Sequence, residues 1–94
     1  MTLRLSFDPV AWEQYRYWQS QDRKTLERKT LERINTLLNA CQRDLFKGIG
    51  KPEPLRAELS GYWSRRIDDT HRLVYRVAGH ELQIVACRYH YGAR

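Results

Sequence analysis

YWSRRIDDTHRLVYRVAGHELQIVACRYHY, residues 62–91, is the stretch that decides the fold. Three runs within it, YWSRRI (62–67), RLVYRV (72–77) and ELQIVACRYHY (81–91), are rich in β-branched and aromatic residues. DDTH and AGH separate them, and both are short enough for hairpins. The reading is a three-stranded antiparallel meander. Side chains alternate across a strand, so Leu73, Tyr75 and Val77 share one face of the middle run and Arg72, Val74 and Arg76 share the other. One face suits a core; the other presents arginines. Arg66 and Arg72 come to the same face if the first loop has an odd number of residues. An odd second loop would bring Arg88 and His90 to that side as well.

Working towards the amino terminus, FKGIGKPEPL (46–55) carries too many glycines and prolines for a helix and reads as an ordered loop. Leu31, Ile34, Leu37, Leu38 and Cys41 fall at helical spacing, and Asp22 is placed to cap that helix. KTLER occurs twice in succession, at 24–28 and 29–33, a tandem duplication that lengthens the helix by about 7.5 Å. A shorter helix before it puts Ala11, Tyr15 and Trp18 on one face, with Asp8 as its cap and Pro9 in its first turn. Trp12, Tyr15, Tyr17 and Trp18 are expected in the core or at an interface. Leu3, Leu5 and Phe7 alternate with polar residues as a first strand does. The expected fold class is α+β: one domain over residues 1–94, a four-stranded, mainly antiparallel sheet, and two helices packed on one face. Residues 92–94 form a short C-terminal extension.

The chain carries 17 Lys and Arg against 11 Asp and Glu, a net charge of +6, and 13 of the 17 cations are arginines. Arginine presents a planar fork that meets phosphate at two points, so an Arg-rich basic domain points to a polyanionic partner. Tyr62, Trp63, Tyr89 and Tyr91 add rings among these arginines, a mixture suited to single-stranded RNA. The plainer alternative is a solvated sheet face with Arg65, Arg66, Arg72 and Arg76 paired to Asp68 or Glu58. His71 and His80 fall in turns and are expected in solvent. Cys41 and Cys87 follow no metal spacing, so free thiols in a reducing cytosol are expected. The opening MTLRLSFDPVAW lacks a signal peptide's apolar stretch, and no run approaches the roughly 18 apolar residues of a spanning helix. A cytoplasmic protein with no membrane association is expected.

GKPEPL (50–55), LSGYWSRRID (59–68), HRLVYRV (71–77) and ACRYHY (86–91), in that order and with YWQ at 17–19, resemble the YoeB branch of the RelE-type bacterial toxins. The resemblance spans nearly the whole chain. It implies a type II toxin that cleaves translated mRNA in the ribosomal decoding site and is held inactive by a cognate, YefM-like antitoxin. It is compatible with a homodimer, and with DNA contact only through the antitoxin complex. Residue by residue, it assigns Glu53 as general base, Arg72 as the phosphate-stabilising arginine, His90 as general acid and Tyr91 as its support. Arg66 matches a further phosphate contact, and Arg56 stands where a lysine is common. Lys51, Arg65 and Arg88 complete the expected RNA-binding set.

These residue types suit attack of a 2′-hydroxyl on the adjacent phosphate, which needs a proton acceptor, a proton donor for the departing 5′-oxygen and a cation for the developing charge. Histidine, with an unperturbed pKa near 6.5, is matched to the donor role. A glutamate near 4.3 is a weak base, so its loop or the ribosome has to assist it. No carboxylate cluster has metal-binding spacing, so no metal and no cofactor are expected. Gly92-Ala93-Arg94 extends past the point where the family ends; it would either obstruct the site or add a phosphate contact. Two other classes remain at this point: a non-catalytic, protein-binding toxin similar to the ParE gyrase inhibitors, and a plain RNA-binding module.

Overall fold

The sheet has five strands rather than four, in the order β1-β5-β4-β3-β2, and it is mixed. The computed structural model describes residues 3–21 and 25–89, with residues 25–28 described by their backbone alone. Its elements run β1 (Arg4–Phe7), α1 (Pro9–Ser20), α2 (Thr25–Arg43), β2 (Glu53–Pro54), a 3-10 turn (Ala57–Leu59), β3 (Trp63–Arg66), β4 (Arg72–Ala78) and β5 (Glu81–Ala86). β1 lies parallel to β5, which the chain reaches only after two helices and three further strands; the other pairings are antiparallel. The expected loop at Glu53 is the fifth strand. Its two residues pair with Ser64 and Trp63 before Pro54, which has no N–H to offer a ladder, ends it at the sheet edge.

Both helices cover the same face, where Ala11, Trp18, Ile34, Leu37, Leu38 and Cys41 bury against Leu73, Tyr75, Leu82 and Ile84. The apolar spacing seen in the sequence thus becomes the core. Pro9 opens α1 as expected, although the Asp8 side chain makes no capping hydrogen bond. Of the α1 aromatics, Trp12 is not in the core: it is half exposed, stacked on Tyr15 with its ring edge to Phe7. The proposed cap Asp22 lies outside the described residues, as does part of the KTLER duplication. Cys41 and Cys87 are free and buried, and burial pushes their thiols up to about 11 and about 12. Both therefore stay protonated and unreactive at neutral pH. No described helix is long and apolar enough to cross a membrane.

The loop parities set the faces. Five residues separate Arg66 from Arg72, and these two are directly opposed in the register, as an odd loop requires. The β4–β5 turn has only two residues, Gly79 and His80, which is even and contrary to expectation. A β-bulge corrects the count: Tyr75 faces Ile84 but Val74 faces Ala86, so Val85 is an extra residue. Beyond it the alternation is reversed, and Cys87 enters the core beneath α1.

Candidate functional site

On the face away from the helices, Glu53, Ser64 and Val74 form one row across β2, β3 and β4, with the Arg66–Arg72 pair in the next row. Sheet geometry puts Glu53 and Arg66 on a diagonal of about 7 Å. Lys51, Glu53, Ser64, Arg66 and Arg72 line a cleft of about 270 Å³ there. Three cations against one carboxylate give the cleft a net positive charge. A second, wider cleft of about 470 Å³ adjoins it through Glu53 and is lined by Pro54, Leu55, Arg56 and Leu59. Tyr62 and Arg76 continue the open face, with the guanidinium 5.2 Å from the ring centre and its Nε donating to Gln83 Oε1 at 2.6 Å.

Arg72 is oriented by its own turn. Its Nη1 donates to the carbonyl oxygens of Asp68 at 2.6 Å and His71 at 3.0 Å. Arg66 is exposed and directly opposite, and like charges in that position oppose folding by up to about 1 kcal/mol. A fold that keeps this pair gains from an anion between them. Arg66→Gln is accordingly expected to retain or slightly raise stability in a denaturation experiment, while weakening binding of a short single-stranded RNA. Lower stability with unchanged RNA binding would make Arg66 a structural residue.

Arg65 is not on this face. It opposes Leu73, is fully buried on the helix side, and cannot reach RNA as the sequence reading proposed. Its guanidinium donates to the carbonyls of Asp44, Lys47 (3.0 Å) and Ile49 (3.1 Å) and to the Tyr75 hydroxyl (3.1 Å). Tyr75 in turn donates to Leu45 O at 2.8 Å. The loop of residues 44–50 is thus wound around one side chain. The Arg66 N–H then donates to Gly50 O at 2.6 Å, which delivers Lys51 and Glu53 to the cleft. Gly50 has φ +84°, and a Cβ there would lie 2.8 Å from Leu37 Cδ2, so only glycine fits. Trp63 likewise sits on the helix side, packed on Phe46 and the core, and is not a stacking platform on the open face.

Arg88 also departs from the expected row. Its guanidinium carbon lies 3.5 Å from the ring centre of Tyr17 on α1 and 4.6 Å from that of Tyr89. His90 and Tyr91, and the Gly92–Arg94 extension, lie outside the described residues. What the structure does describe is how the chain is held on its way to them. Cys87 N–H donates to Gln14 Oε1 at 2.8 Å, and Trp18 Nε1 donates to Cys87 O at 2.9 Å. Arg72 N–H donates to Tyr89 O at 3.0 Å, and Tyr89 N–H donates to His71 Nδ1 at 2.7 Å. His71 is therefore half-buried and bonded rather than solvated, a role that its place in a predicted turn concealed. It was nevertheless inside the HRLVYRV segment that carried the family resemblance.

Among the described residues, the non-glycine positions with left-handed backbone are Lys51 (φ +49°), Ala57 (φ +56°) and Tyr89 (φ +68°). Lys51 is two residues before Glu53, Ala57 follows Arg56, and Tyr89 precedes His90. Each costs on the order of 1 kcal/mol, and such strain gathers at functional sites.

The fold and cleft define a class: a small basic α+β protein with a cation-lined cleft on the open face of a helix-backed sheet. The family model for the YoeB-like toxin of bacterial type II toxin-antitoxin systems matches residues 7–91, and the chain belongs to that family. It is 56% identical over 87 residues to the toxin YoeB of Mycobacterium bovis, covering 93% of this chain and 96% of that protein. It is similar in structure to a YoeB/ParE toxin from Agrobacterium tumefaciens, with 42% identity, a TM-score of 0.86, and 95% of this chain and all of that one covered. It is also similar to the toxin in a heterotetrameric YoeB–YefM complex from Staphylococcus aureus, with 43% identity, a TM-score of 0.80, and 97% of this chain and all of that one covered.

Proposed function

We propose that this toxin is a ribosome-dependent endoribonuclease that cleaves translated mRNA in the decoding site and so stops translation. The cleft shared by Lys51, Glu53, Arg66 and Arg72 is the observation that supports this reading most. In the proposed reaction Glu53 takes the proton of a ribose 2′-hydroxyl, whose oxygen attacks the neighbouring phosphorus. The P–O5′ bond breaks as His90 gives its proton to the leaving 5′-oxygen, yielding a 2′,3′-cyclic phosphate and a 5′-hydroxyl. Arg72 and Arg66 bear the charge that builds on the phosphoryl oxygens. Tyr91 supports His90, and Lys51 and Arg56 bind or steer the RNA, a role not kept for Arg88, whose guanidinium packs on Tyr17 of α1. Acceptor, donor and charge stabiliser are all side chains, so the reaction is written without a metal or cofactor. Glu53 is exposed in the free protein, and its enclosure is left to the bound mRNA and ribosome.

The cognate inhibitor is proposed to be an antitoxin similar to YefM, whose acidic segment folds across the arginine face and displaces Glu53 or His90. A cytoplasmic location follows from that substrate. Primer extension on translated mRNA tests the enzyme reading. Wild type is expected to cut within codons and His90→Ala to leave the message intact; codon-independent cuts, or equal cutting by both proteins, would refute it.

A further inference from the structure

The loss of the β4–β5 ladder just before residue 90 leaves a question: what holds the end of the chain against Arg72? Tyr89 lies past the last strand, with a left-handed φ of +68° that a tyrosine adopts only when its surroundings impose it. Two hydrogen bonds impose it. The Tyr89 carbonyl accepts from the Arg72 N–H at 3.0 Å, and the Tyr89 N–H donates to His71 Nδ1 at 2.7 Å. A ring nitrogen thus stands in for the backbone carbonyl that a continuing ladder would have supplied. Two consecutive residues, His71 of the turn by its side chain and Arg72 at the start of β4 by its backbone, grip both polar groups of a single residue.

The imidazole is itself fixed. His71 N–H donates to Asp68 Oδ1 at 2.7 Å, and the same oxygen accepts from Thr70 N–H at 2.8 Å, so the turn is set by the Asp68 side chain. The ring meets the Trp18 indole edge-on, with centres 5.0 Å apart and planes at 83°. Trp18 in turn holds Cys87 O. Because Tyr89 N–H is a donor, Nδ1 has to offer its lone pair, which makes His71 neutral with its proton on Nε2.

We propose that His71 is a positioning residue of the toxin, fixing the Tyr89 backbone against Arg72 and with it the point from which the chain continues to His90. The inference rests on the ribonuclease reading and adds to it a residue that does not touch the RNA. It also adds an acid limb. The described charged and titratable groups facing the ring are Asp68 from its own turn, Arg72 from β4, and Arg88 and Tyr89 from the segment after β5; α1 contributes the neutral Trp18. Burial, and then Arg88 and Arg72, lower the His71 pKa below 6.5 against the opposing pull of Asp68. A lowered histidine stays neutral in the native state. The stability it contributes is complete above pH 6.5 and is lost as pH falls from there through the lower native value. Protonation of Nδ1 removes the acceptor of Tyr89 and opens the grip.

The test pairs His71→Ala with His71→Asn, whose Oδ1 stands near the position of Nδ1 and accepts without titrating. Single-turnover cleavage on saturating ribosomes is expected to slow 10- to 100-fold in His71→Ala, the scale of an ångström-sized misplacement, with ribosome affinity little changed. His71→Asn is expected to recover most of the rate and to lose the acid limb. Hydrogen exchange at the Tyr89 amide supplies a readout independent of cleavage: protected in wild type and His71→Asn, fast in His71→Ala. An unprotected Tyr89 amide in wild type at neutral pH, or full cleavage by His71→Ala, overturns the proposal. If His71→Ala does not fold, wild-type exchange against pH decides. Corrected protection has to fall as His71 protonates, and protection indifferent to pH is contrary evidence. A wild type that exchanges as expected but cuts no mRNA would refute the ribonuclease reading instead, and with it the role given to the grip.

Discussion

Glu53→Gln is expected to lower mRNA cleavage about 10²- to 10⁴-fold without unfolding the protein, the usual loss when a general base is removed. The residue is exposed on a two-residue edge strand, and glutamine is nearly its shape. A surface change of this kind alters stability by no more than about 0.5 kcal/mol. The substitution removes a negative charge beside Lys51, Arg66 and Arg72, so the cleft becomes more cationic. Affinity for ribosomes carrying mRNA is therefore expected to hold or rise while the chemical step collapses. That opposite movement separates a proton acceptor from a binding residue. Single-turnover cleavage measured beside ribosome binding provides the check; a variant that cuts at the native rate would remove Glu53 from the chemistry.

Arg65→Met is expected to cost about 3 kcal/mol or more of folding free energy, which for a domain of this size lowers the melting temperature by roughly 12 °C or more. Total stability for such a chain is only about 5–14 kcal/mol. The methionine fills much of the volume but supplies no donors. The part-buried carbonyls of Asp44, Lys47 and Ile49 lose their partner, each at about 1 kcal/mol, the low end of the cost of an unpaired polar group. Arg65→Lys is expected to recover only part of the loss, since one ammonium cannot reach three carbonyls and a hydroxyl in the geometry of the planar fork. Because the loop that Arg65 anchors leads to Gly50 and Glu53, surviving folded protein should also cleave poorly. Chemical denaturation of both variants is the measurement, and a Met variant within about 1 kcal/mol of native would show that the loop is anchored elsewhere.

The meander, the helix stripes and, given an odd loop, the shared face of Arg66 and Arg72 were legible because each depends on local periodicity and loop length; their direct opposition came from the folded register. Leu73 and Tyr75 had to share a face with each other, whatever covered it. Arg65 shows where that logic fails. Residues 65 and 66 are both arginines in one strand, and alternation says only that they point in opposite directions. Which of them enters the core depends on the carbonyls of a loop some 20 residues earlier, curling back to meet it. Nothing in the composition of FKGIGKPEPL announces that its backbone needs a guanidinium. Glu53 was found through family resemblance; its two-residue strand is too short to leave any pattern in the sequence.

Local chemistry written along the chain settled the α+β class, the basic face and the residue types available for acid–base work on phosphate, since charge, propensity and alternation are properties of neighbours in sequence. The tertiary structure alone decided that β1 lies parallel to β5, that a bulge at Val85 reverses the alternation before Cys87, and that His71 grips Tyr89. Those outcomes arise from groups as many as 77 residues apart, as Arg4 is from Glu81, competing for the same few hydrogen-bond partners, and that competition is resolved only when the chain is folded.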